Sequence, residues 1–136
     1  MEKRIYSRMP VEIVGNLFVE HNEIPIVIHN ISDRGIGFRY LYRDCPKDFR
    51  VKKNQKISIV FYDPDERLFH DNAVQQCEFT VIQTRDHTKH SYVGGKLTFS
   101  ETNYSQYVLD KKSLRMMNDL KFIRWNFENS YEMNAI

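Results

Sequence analysis

Two short groups of polar residues near the N-terminus carry the side chains best suited to binding chemistry. Arg4 and Arg8 lie four residues apart in Arg-Ile-Tyr-Ser-Arg, and Asn30, Ser32 and Gly35 follow in Asn-Ile-Ser-Asp-Arg-Gly. A guanidinium forms two parallel hydrogen bonds with phosphate oxygens or with O6 and N7 of guanine. Amides and hydroxyls both donate and accept, and glycine allows a positive φ and a close approach to the backbone. Residues of these types can bind anionic or other polar groups of a ligand.

The segments around both groups alternate apolar and polar residues, which predicts β-strands. From Pro10 to Val19 apolar residues recur at alternate positions, and the same period continues from Ile24 to Ile28. This period is typical of half-buried strands. The first strand therefore follows the arginine pair, and the second ends at the turn formed by Asn30–Gly35.

The same alternation predicts four more strands. They run through Ile36–Tyr42, Ile57–Phe61, Val74–Val81 and Tyr92–Phe99. Six short strands with such spacing are typical of an antiparallel barrel or sandwich. We therefore expect a mainly β fold over residues 1–100, in which residues 1–10 form an N-terminal arm that carries the arginine pair, the candidate ligand-binding arm.

The chain changes character after Ser100. No Gly or Pro follows, and apolar residues recur at steps of 7, 4, 3 and 4, at Leu109, Met116, Leu120, Ile123 and Phe127. This spacing places them on one face of an amphipathic helix. We predict a helix over residues 101–130, in the same domain, that packs this face against the mouth of the barrel, with a tail at 131–136. Part of the helix, around Trp125 and Phe127, is available to a partner or a homodimer.

The composition restricts the class of protein. The 136 residues suffice for one domain, and with 41% hydrophobic and 28% charged residues a core can form. The net charge of +2 is too small to indicate a general polyanion-binding protein. Cys45 and Cys77 do not make a disulfide framework, and no apolar run reaches the ~18 residues that a membrane span requires. We expect a cytoplasmic protein without membrane insertion.

The sequence offers no group of residues that predicts catalysis or metal binding. His87, His90 and Cys77 are too few and too scattered for zinc, which needs three or four ligands, so we interpret the histidines as part of a polar hairpin loop. Asp63 and Asp65 belong to a solvated turn. No nucleophile is paired with a base. We expect a binding protein, not an enzyme, with no cofactor and no metal.

In the order and spacing of its two polar groups, the sequence resembles the PilZ family of bacterial cyclic di-GMP receptors. That family shares an RxxxR segment followed by (D/N)xSxxG, and Tyr92–Leu97 is similar to its late aromatic-and-glycine strand. The resemblance covers roughly residues 3–125. It implies a six-stranded antiparallel split β-barrel followed by a C-terminal α-helix. It also implies a receptor that binds the second messenger cyclic di-GMP and signals to a partner protein.

The resemblance implies a set of ligand-binding residues. The two motifs correspond to Arg4, Arg8, Asn30, Ser32 and Gly35, with Lys3, Arg34 and Gly94 as further candidates. The arginines are expected on guanine and phosphate, and the turn residues complete the site. In the family, the residue before the first arginine influences whether one ligand or an intercalated pair binds, so Lys3 leaves the stoichiometry open.

Two other functions stay open at this point. Some PilZ-like domains bind partner proteins without the nucleotide, although both motifs are intact here. A small barrel can also bind single-stranded nucleic acid through aromatic and basic residues, but the near-neutral net charge disfavours this, and we expect no DNA or RNA partner. We further predict that the arm, Glu2–Pro10, is loose without ligand and docks when ligand binds.

Overall fold

A computed structural model describes residues 8–68, 70–117 and 120 of the chain. The candidate site residues Lys3 and Arg4 lie outside the described residues, as do Ile123, Trp125 and Phe127 of the predicted helix and the predicted tail. The docking of the N-terminal arm stays a prediction because most of that segment is also outside.

Six antiparallel strands form a closed barrel. They are β1 (Met9–Val19), β2 (Asn22–Ser32), β3 (Gly35–Leu41), β4 (Lys56–Tyr62), β5 (Val74–Asp86) and β6 (His90–Ser100). Their hydrogen-bonded order is β1-β2-β3-β6-β5-β4, and β4 pairs with β1 to close the barrel. The predicted six-stranded barrel is confirmed. The third strand ends earlier than predicted, because Tyr42–Asp44 forms a short 3-10 helix.

The alternation of the sequence fills the barrel with apolar side chains. On β1, Ile13 and Leu17 point inward and are buried, whereas Val14 between them is 70% exposed. Inward residues of the other strands, among them Phe38 and Phe79, join the same cluster. Burial of each such side chain contributes roughly 1.5–3 kcal/mol, so the parity of each strand is strongly specified.

Two helices accompany the barrel: α1 (His70–Ala73) between β4 and β5, and α2, residues 104–117, after β6. Tyr104, Tyr107 and Val108 of α2 are buried against the barrel. The Tyr104 ring meets Phe79 edge-on, and the Tyr107 ring meets Phe61, each at 5.5 Å between centroids. Within the described parts of the chain, no helix is long and apolar enough to cross a membrane.

The prediction of which face of α2 packs on the barrel is wrong. Leu109, Met116 and Leu120 of the predicted stripe are 54%, 59% and 58% exposed. The barrel instead receives the face with Tyr104 and Tyr107, whose rings are apolar and whose hydroxyls reach polar partners on the barrel. The predicted stripe did not include tyrosines, so it missed the face of α2 that carries Tyr104 and Tyr107.

A polar network fixes α2 to the loop after β4, and the interpretation of Asp63 as part of a solvated turn is wrong, because Asp63 is 3% exposed. The Tyr107 hydroxyl donates to Oδ2 of Asp63 at 2.6 Å, and Nζ of Lys111 lies 3.0 Å from the same oxygen. Lys111 also pairs with Asp65, which accepts two hydrogen bonds from the Arg67 side chain. Arg67 and Lys111 together hold the pKa of the Asp65 carboxyl well below its usual range. The helix is thereby fixed in one rotation about its axis.

Candidate ligand-binding groove

A groove lies on the outer face of β2, β3, β6 and β5, which are neighbours in the barrel. The strand register places Asn30 beside Gly37, Gly37 beside Gly94, and Gly94 beside Gln83. Directly opposite residues share one face of a sheet. The centre of the groove is therefore a floor of two glycines with an amide side chain at either edge.

The neighbouring cross-strand pairs on the same face of the sheet bring further polar residues to the groove. On one side, Gly35 of β3 pairs with Lys96 of β6. On the other side, Tyr92 of β6 pairs with Arg85 of β5. The groove measures about 760 Å³ and is lined by Arg8, His29, Asn30, Ser32, Arg34, Gly35, Ile36, Gly37, Ile82, Gln83, Thr84, Arg85, Tyr92, Val93, Gly94, Gly95 and Lys96.

The groove concentrates positive charge. Arg8, Arg34, Arg85 and Lys96 line it, and no Asp or Glu is among the described lining residues. The whole chain has a net charge of only +2, so its cations and anions are unevenly distributed over the surface. A concave surface with several cations attracts anions and favours phosphate oxygens as ligands.

Asn30 is held by its neighbour on the strand. Its Nδ2 lies 3.1 Å from Nδ1 of His29, which is the extra residue of a β-bulge between Ile28 and Asn30. Burial and the positive charges of Arg39 and Arg8 lower the pKa of His29. A neutral imidazole can accept a hydrogen bond at Nδ1, so His29 fixes the Asn30 amide over the floor.

Ser32, the last residue of β2, pairs with Gly35, the first residue of β3, and the turn lies between them. Ser32 is 8% exposed, and a Cβ at position 35 would lie 2.9 Å from its Oγ. No described glycine has a positive φ, so the predicted need for that conformation at Gly35 is wrong. Glycine at this position leaves room for the Ser32 hydroxyl, which a Cβ would force to shift.

The structure brings most of the sequence-predicted residues together. Both motifs and the late strand meet in one groove, to which they contribute Arg8, Asn30, Ser32, Arg34, Gly35 and Gly94. Lys3 and Arg4 lie outside the described residues. Arg8 precedes β1 directly and places the end of the N-terminal arm at the groove.

Several lining residues were not predicted from the sequence, notably His29, Gln83, Arg85, Tyr92 and Lys96. Tyr92 and Lys96 lie in the late strand that the resemblance singled out, although they were not proposed as binding residues, and His29 is next to Asn30 on β2. Gln83 and Arg85 belong to no local motif and reach the groove because β6 lies between β3 and β5. On β6, parity marks Tyr92 and Lys96 as outward residues, but it does not tell which outward residues become their neighbours. On β5 parity fails, because Gln83 and Arg85 share the parity of buried Phe79 and Val81, and the bulge at Ile82 turns them outward.

Tyr92 anchors an aromatic wall at one end of the groove. Its ring meets His29 edge-on at 5.2 Å and His90 at 5.0 Å, and His87 stacks on His90 at 4.8 Å. His87 and His90 therefore both pack against neighbouring rings. Among the described residues, no group of three or more His, Cys, Asp or Glu is arranged to hold a metal ion.

Comparisons of the sequence alone find no counterpart: no protein-family model and no curated protein matches it. Solved structures do match. The Bacillus subtilis inhibitor of motility MotI/DgrA aligns with a TM-score of 0.66 and 16% identity over 87% of this chain and 53% of that one. The PilZ domain with c-di-GMP of YcgR from Escherichia coli aligns with a TM-score of 0.60 and 11% identity over 87% of this chain and 98% of that domain.

A further match is the K. pneumonia MrkH–c-di-GMP complex, with a TM-score of 0.60 and 11% identity over 89% of this chain and 54% of that one. The chain thus spans about half the length of MotI/DgrA and of MrkH, and nearly the whole length of the isolated YcgR domain. At these identities the likeness concerns the fold. A six-stranded antiparallel barrel with one C-terminal helix, matched over most of its length by PilZ-domain structures, is the PilZ fold predicted from the two motifs.

Proposed function

We propose that this chain is a cyclic di-GMP receptor that binds the nucleotide in the groove and signals to a partner protein. The observation that carries the proposal is the convergence of Arg8, Asn30, Ser32 and Gly35 in one groove that holds four cations and no described carboxylate. Cyclic di-GMP offers two guanine edges and two phosphodiester anions, which match these side chains. The c-di-GMP complexes of the YcgR domain and MrkH have the same fold.

Each motif residue has a distinct role in this proposal. Arg8, with Arg4, pairs with guanine O6 and N7 or with phosphate oxygens. Asn30 and Ser32 bind the second guanine edge or the phosphate and ribose. Gly35 keeps the backbone open to the ligand, and Arg34 lies in the same turn. The polar lining residues are hydrogen-bond donors, acceptors and cations, which is the set that binding requires, so we propose a receptor and not an enzyme.

The signal is expected to travel through α2. The Tyr104 hydroxyl donates to the Gly35 carbonyl at 2.6 Å, and Ser105 Oγ donates to the Asp33 carbonyl at 3.0 Å. Lys112 pairs with the Asp33 carboxylate at 3.2 Å. The turn that forms one wall of the groove is therefore held from behind by the helix. A ligand that moves the turn therefore also moves α2. This movement changes how the exposed face of α2 contacts a partner protein.

An adaptor that binds protein without the nucleotide is the second candidate. The exposed apolar side chains of Leu109, Met116, Met117 and Leu120 on α2 favour a protein contact, whether or not ligand binds. A homodimer through this helix stays a prediction.

We expect a cytoplasmic location, since Cys45 and Cys77 are both free thiols, as in a reducing compartment.

Calorimetric titration of the purified chain with cyclic di-GMP, GTP and cyclic di-AMP tests the proposal. We expect selective binding of cyclic di-GMP and at least about a tenfold loss in Arg8→Ala, which corresponds to ~1.4 kcal/mol. Arg43→Ala is the matched control, because Arg43 is exposed and does not line the groove. If the folded wild type does not bind cyclic di-GMP at high micromolar ligand, the receptor is excluded and the adaptor is favoured.

A further inference from the structure

The floor of the groove is symmetric in a way that the two motifs do not explain. Gly37 and Gly94 lie side by side on β3 and β6, with Asn30 of β2 beyond one and Gln83 of β5 beyond the other. Asn30 belongs to a motif, whereas Gln83 does not. A primary amide therefore stands at each edge of a floor that has no side chains of its own.

Both amides lie over the glycine beside them. A Cβ at Gly37 would be 2.5 Å from Oδ1 and 2.7 Å from Nδ2 of Asn30. A Cβ at Gly94 would be 3.0 Å from Cγ and 3.2 Å from Nε2 of Gln83. The two glycines thus let the two side chains extend over the floor close to the backbone.

The Gln83 amide is available for a ligand. Gln83 is exposed, and its side chain makes no hydrogen bond to any other residue within the described parts of the chain. It follows Ile82, the extra residue of a bulge between Val81 and Gln83, and a bulge re-aims the side chains beside it. Asn30, by contrast, is held by His29 at 3.1 Å. One amide is fixed and the other is free to adjust.

The chemistry of Gln83 suits a base edge better than a phosphate. An amide is neutral and offers a donor and an acceptor together, which match O6 and N1–H on the Watson–Crick edge of guanine. The groove already has cations for anionic oxygens in Arg85 and Lys96 on either side of Gln83 along the floor. A neutral residue between them adds little to phosphate affinity but distinguishes one base from another, because a mismatched base leaves a polar group unpaired.

We propose that Gln83 is a specificity-determining residue of the groove, and that its amide, opposite that of Asn30 across Gly37 and Gly94, binds the edge of a purine base of the ligand. This inference rests on the proposed nucleotide-binding function and deepens it. Gln83 makes the base site two-sided: β2 supplies one amide through the motif, and β5 supplies the other through the register of the barrel.

The test compares two ligands and three variants. Calorimetry gives Kd for cyclic di-GMP and cyclic di-AMP with wild type, Gln83→Ala, Lys96→Ala and Gln76→Ala. Gln76 is the matched control, since it is exposed on β5 but does not line the groove. Thermal unfolding of each variant reports whether the fold is retained.

We expect Gln83→Ala to weaken cyclic di-GMP binding about tenfold and to change cyclic di-AMP binding much less, so that the ratio of the two Kd values narrows. Lys96→Ala weakens both ligands by similar factors, because it acts on charge, and Gln76→Ala changes neither. If Gln83→Ala leaves the ratio unchanged while wild type binds cyclic di-GMP, this inference is wrong and the receptor function stands. If wild type binds neither dinucleotide, the receptor function itself is wrong, and the inference falls with it.

Discussion

At the scale of single residues, Asn30 and Gly37 depend on each other. Asn30 reaches into the groove because position 37, directly opposite on β3, has no Cβ, and a Cβ there would lie 2.5 Å from Oδ1. His29 completes the arrangement by holding Nδ2. Asn30 of the motif thus owes its position to a glycine that lies outside the motif.

We predict that Gly37→Ala weakens cyclic di-GMP binding about tenfold, because the new methyl group displaces the Asn30 amide and a good base contact is worth roughly 1–3 kcal/mol. Calorimetry on the two single variants and on Gly37→Ala/Asn30→Ala checks this. In the Asn30→Ala background the Gly37→Ala change is expected to have little further effect. If the losses of binding free energy from the two single changes add in the double variant, Gly37 affects binding by a route other than Asn30.

At the scale of elements, α2 connects the groove to the rest of the molecule. Tyr104 is 1% exposed, and its hydroxyl donates to the Gly35 carbonyl at 2.6 Å. Arg115 on the same helix reaches the Pro10 carbonyl at 3.4 Å, at the start of β1. One helix therefore contacts both the β2–β3 turn and the strand that follows the N-terminal arm.

We predict that Tyr104→Phe destabilises the fold by about 1 kcal/mol, through the lost hydrogen bond, and weakens cyclic di-GMP binding by roughly 0.5–2 kcal/mol, because the turn is less firmly held. Unfolding in denaturant and calorimetry at a temperature where both proteins are folded measure the two effects. Tyr62→Phe is the control, since Tyr62 is 54% exposed. If Tyr104→Phe binds cyclic di-GMP with unchanged affinity, the contact between α2 and the β2–β3 turn does not influence ligand binding.

The elements were largely predictable from the sequence, and the exceptions have physical causes. Alternation located all six strands, because inward residues such as Leu17 and Phe79 must be apolar. The packed face of α2 was not predicted, because Tyr104 and Tyr107 combine an apolar ring with a polar hydroxyl. Exposed Leu109 lies on the opposite side and completed a misleading apolar stripe.

At the scale of the whole molecule, the order of the strands in the barrel assembles the groove. The motifs predicted Asn30 and Ser32 because those residues are close in sequence, and the turn keeps them close in space. Gln83 and Lys96 could not be placed in the same way, because their positions depend on the order of β3, β6 and β5 and on the bulge at Ile82. Register over such distances is a property of the folded barrel and not of any local segment.

The central claim is that cyclic di-GMP binds in this groove, and an NMR titration of the ¹⁵N-labelled chain tests it most directly. We predict that the amide shifts on adding cyclic di-GMP concentrate at Ser32, Gly35, Gly37 and Gly94, the backbone nearest the ligand. Val14, which is 70% exposed on β1 and does not line the groove, serves as the internal reference and is expected to stay unchanged. Shifts confined to the β1 and β4 face, or no shifts at saturating ligand, would contradict the account.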